Sequence, residues 1–267
     1  MPSESPDEFE RQMPPLPESG LPSLKSAVDI LAACVLMIFA APVIGLLAIL
    51  VKAVSPGPAL YSQTRLGLRG RPFQIWKLRT MFHNCEAVTG PVWSGRNDRR
   101  ITPIGRILRD THLDELPQLW NVLRGEMSLV GPRPERPEIA RRIETEIPGF
   151  GLRLLVKPGL TGLAQLRVPA DVDIANIPHK LSQDIYYLNH QSPLFDLRIL
   201  ISTAFHFIGG GCACMSKILL AGSGPAAVPG MTPAEMEMPP AQYQRFNSIA
   251  AADPELPIAL AELSVAA

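Results

Sequence analysis

Three observations predict a helix-dominated α+β fold. An uncharged apolar run extends from Ile30 to Val51, and at about 1.5 Å per residue it is long enough to cross the apolar core of a bilayer as a helix. Residues 59–81 alternate loosely between apolar and polar on either side of a Gly/Arg loop, which is typical of a β-hairpin. Residues 101–130 and 193–208 instead carry apolar residues at helical spacing. The sequence therefore predicts an N-terminal membrane helix, a small hairpin and a compact helical domain.

The apolar run is compatible with more than one topology. A cleavable signal peptide would be shorter and would start closer to the N-terminus. Pro42 lies near the middle of the run and removes one backbone hydrogen bond, and Gly45 makes a bend there easier. Lys25 and Lys52 place positive charge at both ends. The basic residues therefore do not decide between a spanning helix and a re-entrant helix, which enters and leaves through the same membrane face.

Composition divides the chain into four segments. Residues 1–20 are rich in Pro, Ser and Glu and are predicted to be a disordered leader. Residues 21–54 hold the membrane helix, and residues 55–208 form the helical domain, with a break in helical structure expected near residues 110–113. Residues 209–267 are a low-complexity tail rich in Gly, Ala, Pro and Met, which is predicted to be mostly disordered.

The charge is balanced overall but uneven along the chain. There are 25 basic and 25 acidic residues, so no overall positive field indicates a nucleic-acid partner. Between Arg65 and Arg109, however, basic side chains far outnumber the two acidic ones, Glu86 and Asp98. Such an excess either forms a solvated basic face or binds an anionic partner such as a phosphate or a lipid headgroup. The four cysteines show neither zinc spacing nor a disulfide pattern, which fits a reducing compartment.

Asp114 and Glu115 are adjacent carboxylates that lie between Arg109 and Arg133. One interpretation is structural, because acidic residues stabilise the first turn of a helix and Thr111 stands at the spacing of a loose capping box. The other interpretation is chemical, because an ionised carboxylate can bind Mg²⁺ or attack phosphorus. The prolines around Arg133 would hold its guanidinium in place for a phosphate oxygen. The combination indicates phosphoryl-group chemistry.

From about Lys25 to Ile208 the chain resembles the bacterial sugar transferase family, the monotopic phosphoglycosyl transferases that prime exopolysaccharide and glycan assembly. The most specific match is the long block LDELPQLWNVLRGEMSLVGPRPE, residues 113–135. The other matching stretches are KSAVD, YSQTRLGLRGRPFQIWKLRTM, NDRRITPIGRILR, VKPGLTGLAQ and the apolar run that contains Pro42.

The resemblance implies a two-step transfer. An ionised Asp attacks the sugar-bearing phosphate of a UDP-sugar and releases UMP, and the phosphosugar then passes to a polyprenyl phosphate, assisted by Mg²⁺. Matched residue by residue, Asp114 is the nucleophile and Glu115 is its acidic partner, in metal binding or in shaping the site. Arg109 and Arg133 hold phosphates. The other implied site residues are Lys77 and Arg79 in the same basic site, and Lys157 and Gln165 near the nucleotide sugar.

The resemblance also implies where the enzyme works. It implies a re-entrant helix kinked at Pro42 and a cytosolic catalytic domain with interfacial helices, at the bacterial inner (cytoplasmic) membrane. Ala41 departs from the Ser that members often carry before this proline, whose hydroxyl can bond the freed backbone. We expect the short form of the family, because no other apolar run precedes this one. The expected partners are a UDP-sugar, undecaprenyl or another polyprenyl phosphate and membrane lipid, without nucleic acid; self-association into a homo-oligomer stays open.

Two other functions remain as alternatives. A membrane-anchored scaffold would bind anionic lipid through its basic face and would have no use for Asp114. A spanning enzyme that transfers a bare sugar would release UDP rather than UMP. The identity of the transferred sugar is not encoded in any motif of the chain.

Overall fold

Helices dominate the structure, and two small sheets complete an α+β fold, as the sequence predicts. The predicted leader, residues 1–20, and almost all of the predicted tail lie outside the described residues. The computed structural model describes residues 24–85, 98–147, 149–168, 176–208 and 219–220.

Helix α1, Leu24–Val54, is the long apolar helix that the sequence predicts. It passes through Pro42 without a break, so the kink at this proline stays a prediction. Only 11% of its most apolar window is buried, whereas the core helix of a soluble protein would be mostly buried. By length and composition, α1 is the one helix in the described part of the chain that could cross a membrane.

The predicted hairpin is confirmed. Strands β1 (Leu60–Leu66) and β2 (Pro72–Leu78) pair in antiparallel fashion, with Leu60 opposite Leu78 and Leu66 opposite Pro72. The connecting turn contains Arg69 and Gly70, both at positive φ, which lets the chain reverse within a few residues. The hairpin places the alternating side chains of β2 against the rest of the domain.

The predicted break in helical structure is also confirmed. Helix α2 (Pro103–Asp110) ends, and a 3-10 helix (Leu113–Gln118) begins after a sharp turn at His112. His112 adopts the left-handed conformation with a φ of 53°, which redirects the chain within one residue. Helix α3 (Leu119–Leu123) follows directly.

The prediction that helical structure continues to residue 130 is wrong. Gly125, at a φ of 76°, follows the end of α3, and a residue in this conformation commonly terminates a helix. The next residues form strand β3 (Ser128–Val130), which pairs in parallel with β4 (Gly159–Thr161). The strand is buried on both faces and therefore lacks the alternation of apolar and polar residues that would have distinguished it from a helix.

The remaining elements are helical. Their last member coincides with the helix predicted over residues 193–208. They are α4 (Pro137–Glu146), a 3-10 helix (Phe150–Leu155), α5 (Leu163–Arg167), α6 (Ile177–Asn189) and α7 (Pro193–Ile208).

Apolar packing attaches α1 to the domain. The largest group of buried apolar side chains in the described residues includes members of α1, α3 and strands β2 and β3. Helix α1 contributes Ala33 and Ala40, which are 0% and 8% exposed. Small side chains at these positions allow close approach of the helix, and Val122 and Val130 belong to the same group.

The junction of β3 and β4 depends on glycine because two backbones touch there. A Cβ at Gly159 would lie 2.1 Å from the backbone nitrogen of Gly131, and one at Gly162 would lie 2.2 Å from the carbonyl oxygen of Gly131. The N–H of Gly131 donates to the carbonyl of Thr161 at 2.9 Å. This contact holds the first residue of the loop that carries Arg133 against β4.

We expect Gly159→Ala to lower the free energy of unfolding by about 3 kcal/mol or more, because the added methyl group would force the two backbones apart. Gly45→Ala is the matched control, since a Cβ there meets nothing within 4 Å and alanine favours a helix by about 1 kcal/mol over glycine. Urea unfolding in detergent micelles, followed by tryptophan fluorescence, measures both. Equal stability of the two variants would contradict the close backbone contact.

Candidate active site

The two predicted carboxylates lie on the 3-10 helix Leu113–Gln118, which packs against β2. Asp114 is 7% exposed and Glu115 is 8% exposed, so neither belongs to a solvated helix end. Successive residues of a 3-10 helix are about 120° apart around the axis. The two neighbouring carboxylates therefore point in different directions and meet different partners.

Glu115 is held by two cations from distant parts of the chain. The Lys77 Nζ donates to Glu115 Oε1 at 2.7 Å. The Arg133 guanidinium donates Nη1 to Glu115 Oε2 at 3.1 Å and Nη2 to Oε1, which is the two-pronged geometry that favours Arg with a carboxylate. Burial disfavours the charge on Glu115, but Arg133 and Lys77 outweigh burial and hold the pKa of Glu115 well below its ordinary value. Glu115 is thus an ionised anchor.

Asp114 has a different environment. Its carboxylate has no hydrogen bond or ion pair with the described residues, although the charges of Lys77, Arg133 and Arg109 act on it from a distance. Burial raises the pKa of Asp114 above its ordinary value despite these cations. An oxygen in this state is free to bind a substrate atom or to react with it.

Arg109 is oriented by the hairpin. Its Nε donates to the hydroxyl of Thr80 at 2.8 Å, just after the end of β2. Helix α2, which carries Arg109, is capped by Thr102, whose hydroxyl accepts from the N–H of Gly105 at 3.0 Å. The Arg109 charge lowers the pKa of Asp114 slightly, so this side chain lies close enough to act on the carboxylate without bonding it.

The loop that carries Arg133 is secured by Arg65 of β1. Arg65 Nη1 donates to the carbonyl of Pro134 at 3.0 Å and to Glu135 Oε2 at 3.3 Å. The N–H of Leu66 also donates to the carbonyl of Glu135 at 2.9 Å. Sequence reasoning placed Arg65 in the basic stretch but did not identify this positioning role, which no local motif signals.

Asn121 is a second positioning residue that sequence reasoning missed. Its side chain accepts from the N–H of Trp76 at 3.2 Å and donates to the carbonyl of Gln74 at 2.7 Å. Asn121 is fully buried and ties α3 to β2 next to Lys77. A polar residue within the apolar pattern of α3 was the available signal.

Three predicted site residues bond elsewhere. Arg79 donates to the carbonyls of Pro56 at 2.5 Å and Ser55 at 2.7 Å, beyond the C-terminal end of α1. Lys157 donates to Ser26 Oγ at 3.3 Å at the other end of α1, and Gln165 donates to the carbonyl of Leu160 at 3.3 Å. The structure therefore brings together Lys77, Arg109, Asp114, Glu115 and Arg133, whereas substrate binding by Arg79, Lys157 and Gln165 stays a prediction.

Of the two carboxylates predicted to bind Mg²⁺, Asp114 is better suited to this role than Glu115. Within the described residues, no group of three or more His, Cys, Asp or Glu side chains could hold a metal ion. Both Glu115 oxygens already accept from cations, and a metal there would face their repulsion. Asp114 has no partner within the part of the chain that the structure describes, and Mg²⁺ is commonly held by one carboxylate, water and substrate phosphates. The site thus fits an ion that arrives with a diphosphate substrate.

Comparison with known proteins places this sequence in a family. The sequence model described as bacterial sugar transferase matches residues 21–210. A UDP-glucose:undecaprenyl-phosphate glucose-1-phosphate transferase of Caulobacter vibrioides is 44% identical over 191 residues, covering 71% of each chain.

Two further relatives are longer proteins. An Escherichia coli protein with the same name is 40% identical over 187 residues, covering 68% of this chain and 39% of the relative. A UDP-N-acetylgalactosamine-undecaprenyl-phosphate N-acetylgalactosaminephosphotransferase of Aeromonas hydrophila is 38% identical over 190 residues, covering 70% of this chain and 44% of the relative. The chain therefore spans less than half the length of these two relatives.

The different environments of the two carboxylates predict opposite effects on stability. Glu115→Gln leaves Lys77 and Arg133 without their anion, and we expect it to lower the free energy of unfolding by about 2 kcal/mol. This is below the usual cost of a broken buried pair because the Arg133 side chain is 40% exposed. Asp114→Asn relieves the burial of a charge, and we expect no loss of stability.

The effect of Asp114→Asn on the free energy of unfolding should also depend on pH. The native state holds the Asp114 proton more tightly than the unfolded state, so ionisation destabilises the wild-type protein as pH rises through the Asp114 pKa. The benefit of Asp114→Asn should therefore be larger at about pH 7.5 than at about pH 4.5. Urea unfolding at the two pH values measures this. A greater loss of stability in Asp114→Asn than in Glu115→Gln would refute the assignment of Glu115 as the stabilising ion-pair partner.

Proposed function

We propose that this chain, which belongs to the bacterial sugar transferase family, transfers a sugar 1-phosphate from a UDP-sugar to undecaprenyl phosphate. It is an enzyme of the phosphoglycosyl transferase class. The observation that carries the proposal is the pair of adjacent buried carboxylates, of which Glu115 is neutralised by two cations while Asp114 stays unpaired among the described residues. The names of the relatives supply the donor and acceptor classes.

In the first step, a carboxylate oxygen of Asp114 attacks the phosphorus that bears the sugar. A new oxygen–phosphorus bond forms, and the bond from this phosphorus to the bridging oxygen of the diphosphate breaks. UMP leaves with that electron pair, and the sugar phosphate remains on Asp114 as an acyl phosphate. Burial keeps water from Asp114, which protects such an intermediate from hydrolysis.

In the second step, an oxygen of undecaprenyl phosphate attacks the same phosphorus. The bond between phosphorus and the Asp114 oxygen breaks, so the carboxylate is regenerated and undecaprenyl diphosphate-sugar forms. In this scheme both attacking groups react as anionic oxygens, so no net proton transfer is needed. One nucleophile therefore serves both halves of the exchange.

The cations around the carboxylates have two tasks in this scheme. Lys77 and Arg133 neutralise Glu115, so that its charge does not repel an approaching diphosphate. The part of Arg133 that remains exposed and the guanidinium of Arg109 can attract the phosphate oxygens as charge moves to the leaving group. Mg²⁺ held by Asp114 and the diphosphate would supply further neutralisation of that charge.

We also propose that α1 is re-entrant and that the domain lies on the cytosolic face of the bacterial inner membrane. A straight helix of 31 residues is about 46 Å long, and crossing the bilayer would carry one end far from the domain. Both ends of α1 instead contact the domain: Lys25 bonds Asp196 at 2.5 Å, and Arg79 bonds the Ser55 and Pro56 carbonyls. The lipid acceptor and the soluble donor would meet at this face.

The proposed chemistry predicts that detergent-solubilised protein with Mg²⁺ releases UMP from one member of a panel of UDP-sugars. We expect Asp114→Asn to abolish UMP release, because an amide cannot form the acyl phosphate. Without the acceptor, the wild-type protein should carry a sugar-phosphate label on its tryptic peptide of residues 110–124. Nucleotide chromatography and peptide mass spectrometry measure the two results.

Asp110→Asn is the matched control for this experiment. Asp110 lies in the same tryptic peptide but is exposed at the end of α2. Its variant should therefore still release UMP and still carry the sugar-phosphate label. Full UMP release by Asp114→Asn would reject Asp114 as the nucleophile. Release of UDP would instead indicate transfer of a bare sugar, and no nucleotide product from any donor would favour the scaffold function.

The re-entrant topology predicts that positions 10 and 60 lie on the same side of the membrane. In a background without the native cysteines, Glu10→Cys and Leu60→Cys should both resist a membrane-impermeant maleimide in intact spheroplasts. Both should react after permeabilisation. Labelling of one position alone in intact spheroplasts would show that α1 crosses the membrane.

A further inference from the structure

A partly buried polar network joins the N-terminal end of α1 to α7 and β3. Lys25 Nζ lies 2.5 Å from Asp196 Oδ2 on α7 and 3.7 Å from Asp29 Oδ2 one turn along α1. Asp29, which is 8% exposed, accepts from the hydroxyl of Ser128 on β3 at 2.6 Å. The first turns of the membrane helix are thus bonded to two other elements.

Tyr187 of α6 closes this network. Its hydroxyl lies 2.8 Å from Asp196 Oδ1 and 3.0 Å from the carbonyl of Val130, the last residue of β3. Tyr187 is 1% exposed and Ser128 is fully buried. We call the five side chains of Lys25, Asp29, Ser128, Tyr187 and Asp196 the latch.

The charges of the latch are balanced by a residue at its edge. Lys25 alone would leave two carboxylates, Asp29 and Asp196, with one cation. Lys157 bonds Ser26 on the first turn of α1, and the Asp29 charge acts on it. Two lysines therefore face two aspartates, which reduces the electrostatic cost of burial.

The latch is placed directly before the loop that carries Arg133. Strand β3 ends at Val130, and the next residues are Gly131, Pro132 and Arg133. The proline restricts the backbone between the strand and the guanidinium, and the N–H of Gly131 is bonded to β4. A displacement of Val130 would consequently move Arg133 relative to Glu115.

We propose that the latch is a positioning device through which the N-terminal end of α1 sets Arg133 against Glu115, beside the nucleophile Asp114. This inference rests on the proposed function for its catalytic consequence and on the hydrogen bonds alone for its structural part. Apolar contacts at Ala33 and Ala40 already attach α1 to the domain. Those apolar contacts do not fix the register between the helix and β3. The hydrogen bonds of the latch do, because a hydrogen bond requires two particular atoms to meet.

Tyr187→Phe tests the structural part, because it removes one hydroxyl and keeps the buried ring. Tyr186→Phe is the matched control: it is the same change at the adjacent residue, whose hydroxyl has no hydrogen bond with the described residues. We expect the backbone N–H groups of the non-proline residues within 128–136 to exchange with deuterium about tenfold faster in Tyr187→Phe and at the wild-type rate in Tyr186→Phe. Ser128→Ala, which removes a second hydroxyl of the latch, should have the same effect.

The catalytic part is tested in combination with Arg133→Lys, which keeps the charge but loses the two-pronged contact. Tyr187→Phe should lower kcat/KM for the UDP-sugar about tenfold in the wild-type background and much less in the Arg133→Lys background, since residues that act through one another are not additive. Tyr186→Phe should leave kcat/KM unchanged in both.

The outcomes separate this inference from the proposed function. Unchanged exchange in both Tyr187→Phe and Ser128→Ala would overturn the latch, whatever the activity. Faster exchange with equal losses of kcat/KM in the two backgrounds would overturn its action through Arg133. If no UDP-sugar yields UMP, the proposed function fails, and the exchange rates alone decide whether the latch holds β3.

Discussion

The ion-pair triad of Glu115 with Lys77 and Arg133 is the interaction on which the candidate site depends. Its members come from a 3-10 helix, a strand of the hairpin and the loop after β3. Removing three charges from water is expensive unless the geometry is closely met, so each element must occupy its place for the others to be stable. The supporting contacts serve this requirement: Asn121 ties α3 to β2, and Arg65 holds the Arg133 loop to β1.

The triad also explains why two adjacent carboxylates can act differently. Glu115 is ionised and immobilised by its partners, whereas the Asp114 oxygens bond none of the described residues and lie in the same positive field. Chemically similar groups are separated in function by environment, as pairs of carboxylates often are in enzymes. In the proposed reaction, the anchored member shapes the site and the free member forms the bond to phosphorus.

Helix α1 is part of the same arrangement rather than a simple anchor. Its exposed apolar side chains suit lipid, while both of its ends are bonded to the domain through polar groups. The N-terminal contacts lie next to β3, and β3 leads to Arg133. The position of the helix and the position of the Arg133 guanidinium are thereby linked through a few hydrogen bonds.

The sequence by itself determined the elements with strong local signals. The apolar run predicted α1, and the Gly/Arg loop between alternating residues predicted the hairpin. The block of residues 113–135, with its two adjacent carboxylates, prolines and arginines, predicted the carboxylate site and the family. Local signals failed at Ser128–Val130, where helical spacing concealed a buried strand. The family resemblance assigned Asp114 and Glu115 different roles, but no local signal showed that Lys77 and Arg133 bond Glu115. Nor did any local signal show that Arg79 bonds the backbone beyond α1 instead.

Only the tertiary structure decided which partners these side chains meet. Lys77 and Arg133 lie far from Glu115 in sequence, and Lys25 lies further still from Asp196. Whether a cation meets a carboxylate, a backbone carbonyl or solvent depends on which elements pack together, and this information is not present in any one stretch of the chain. Burial and the neighbouring charges then shift the pKa of the two carboxyl groups in opposite directions.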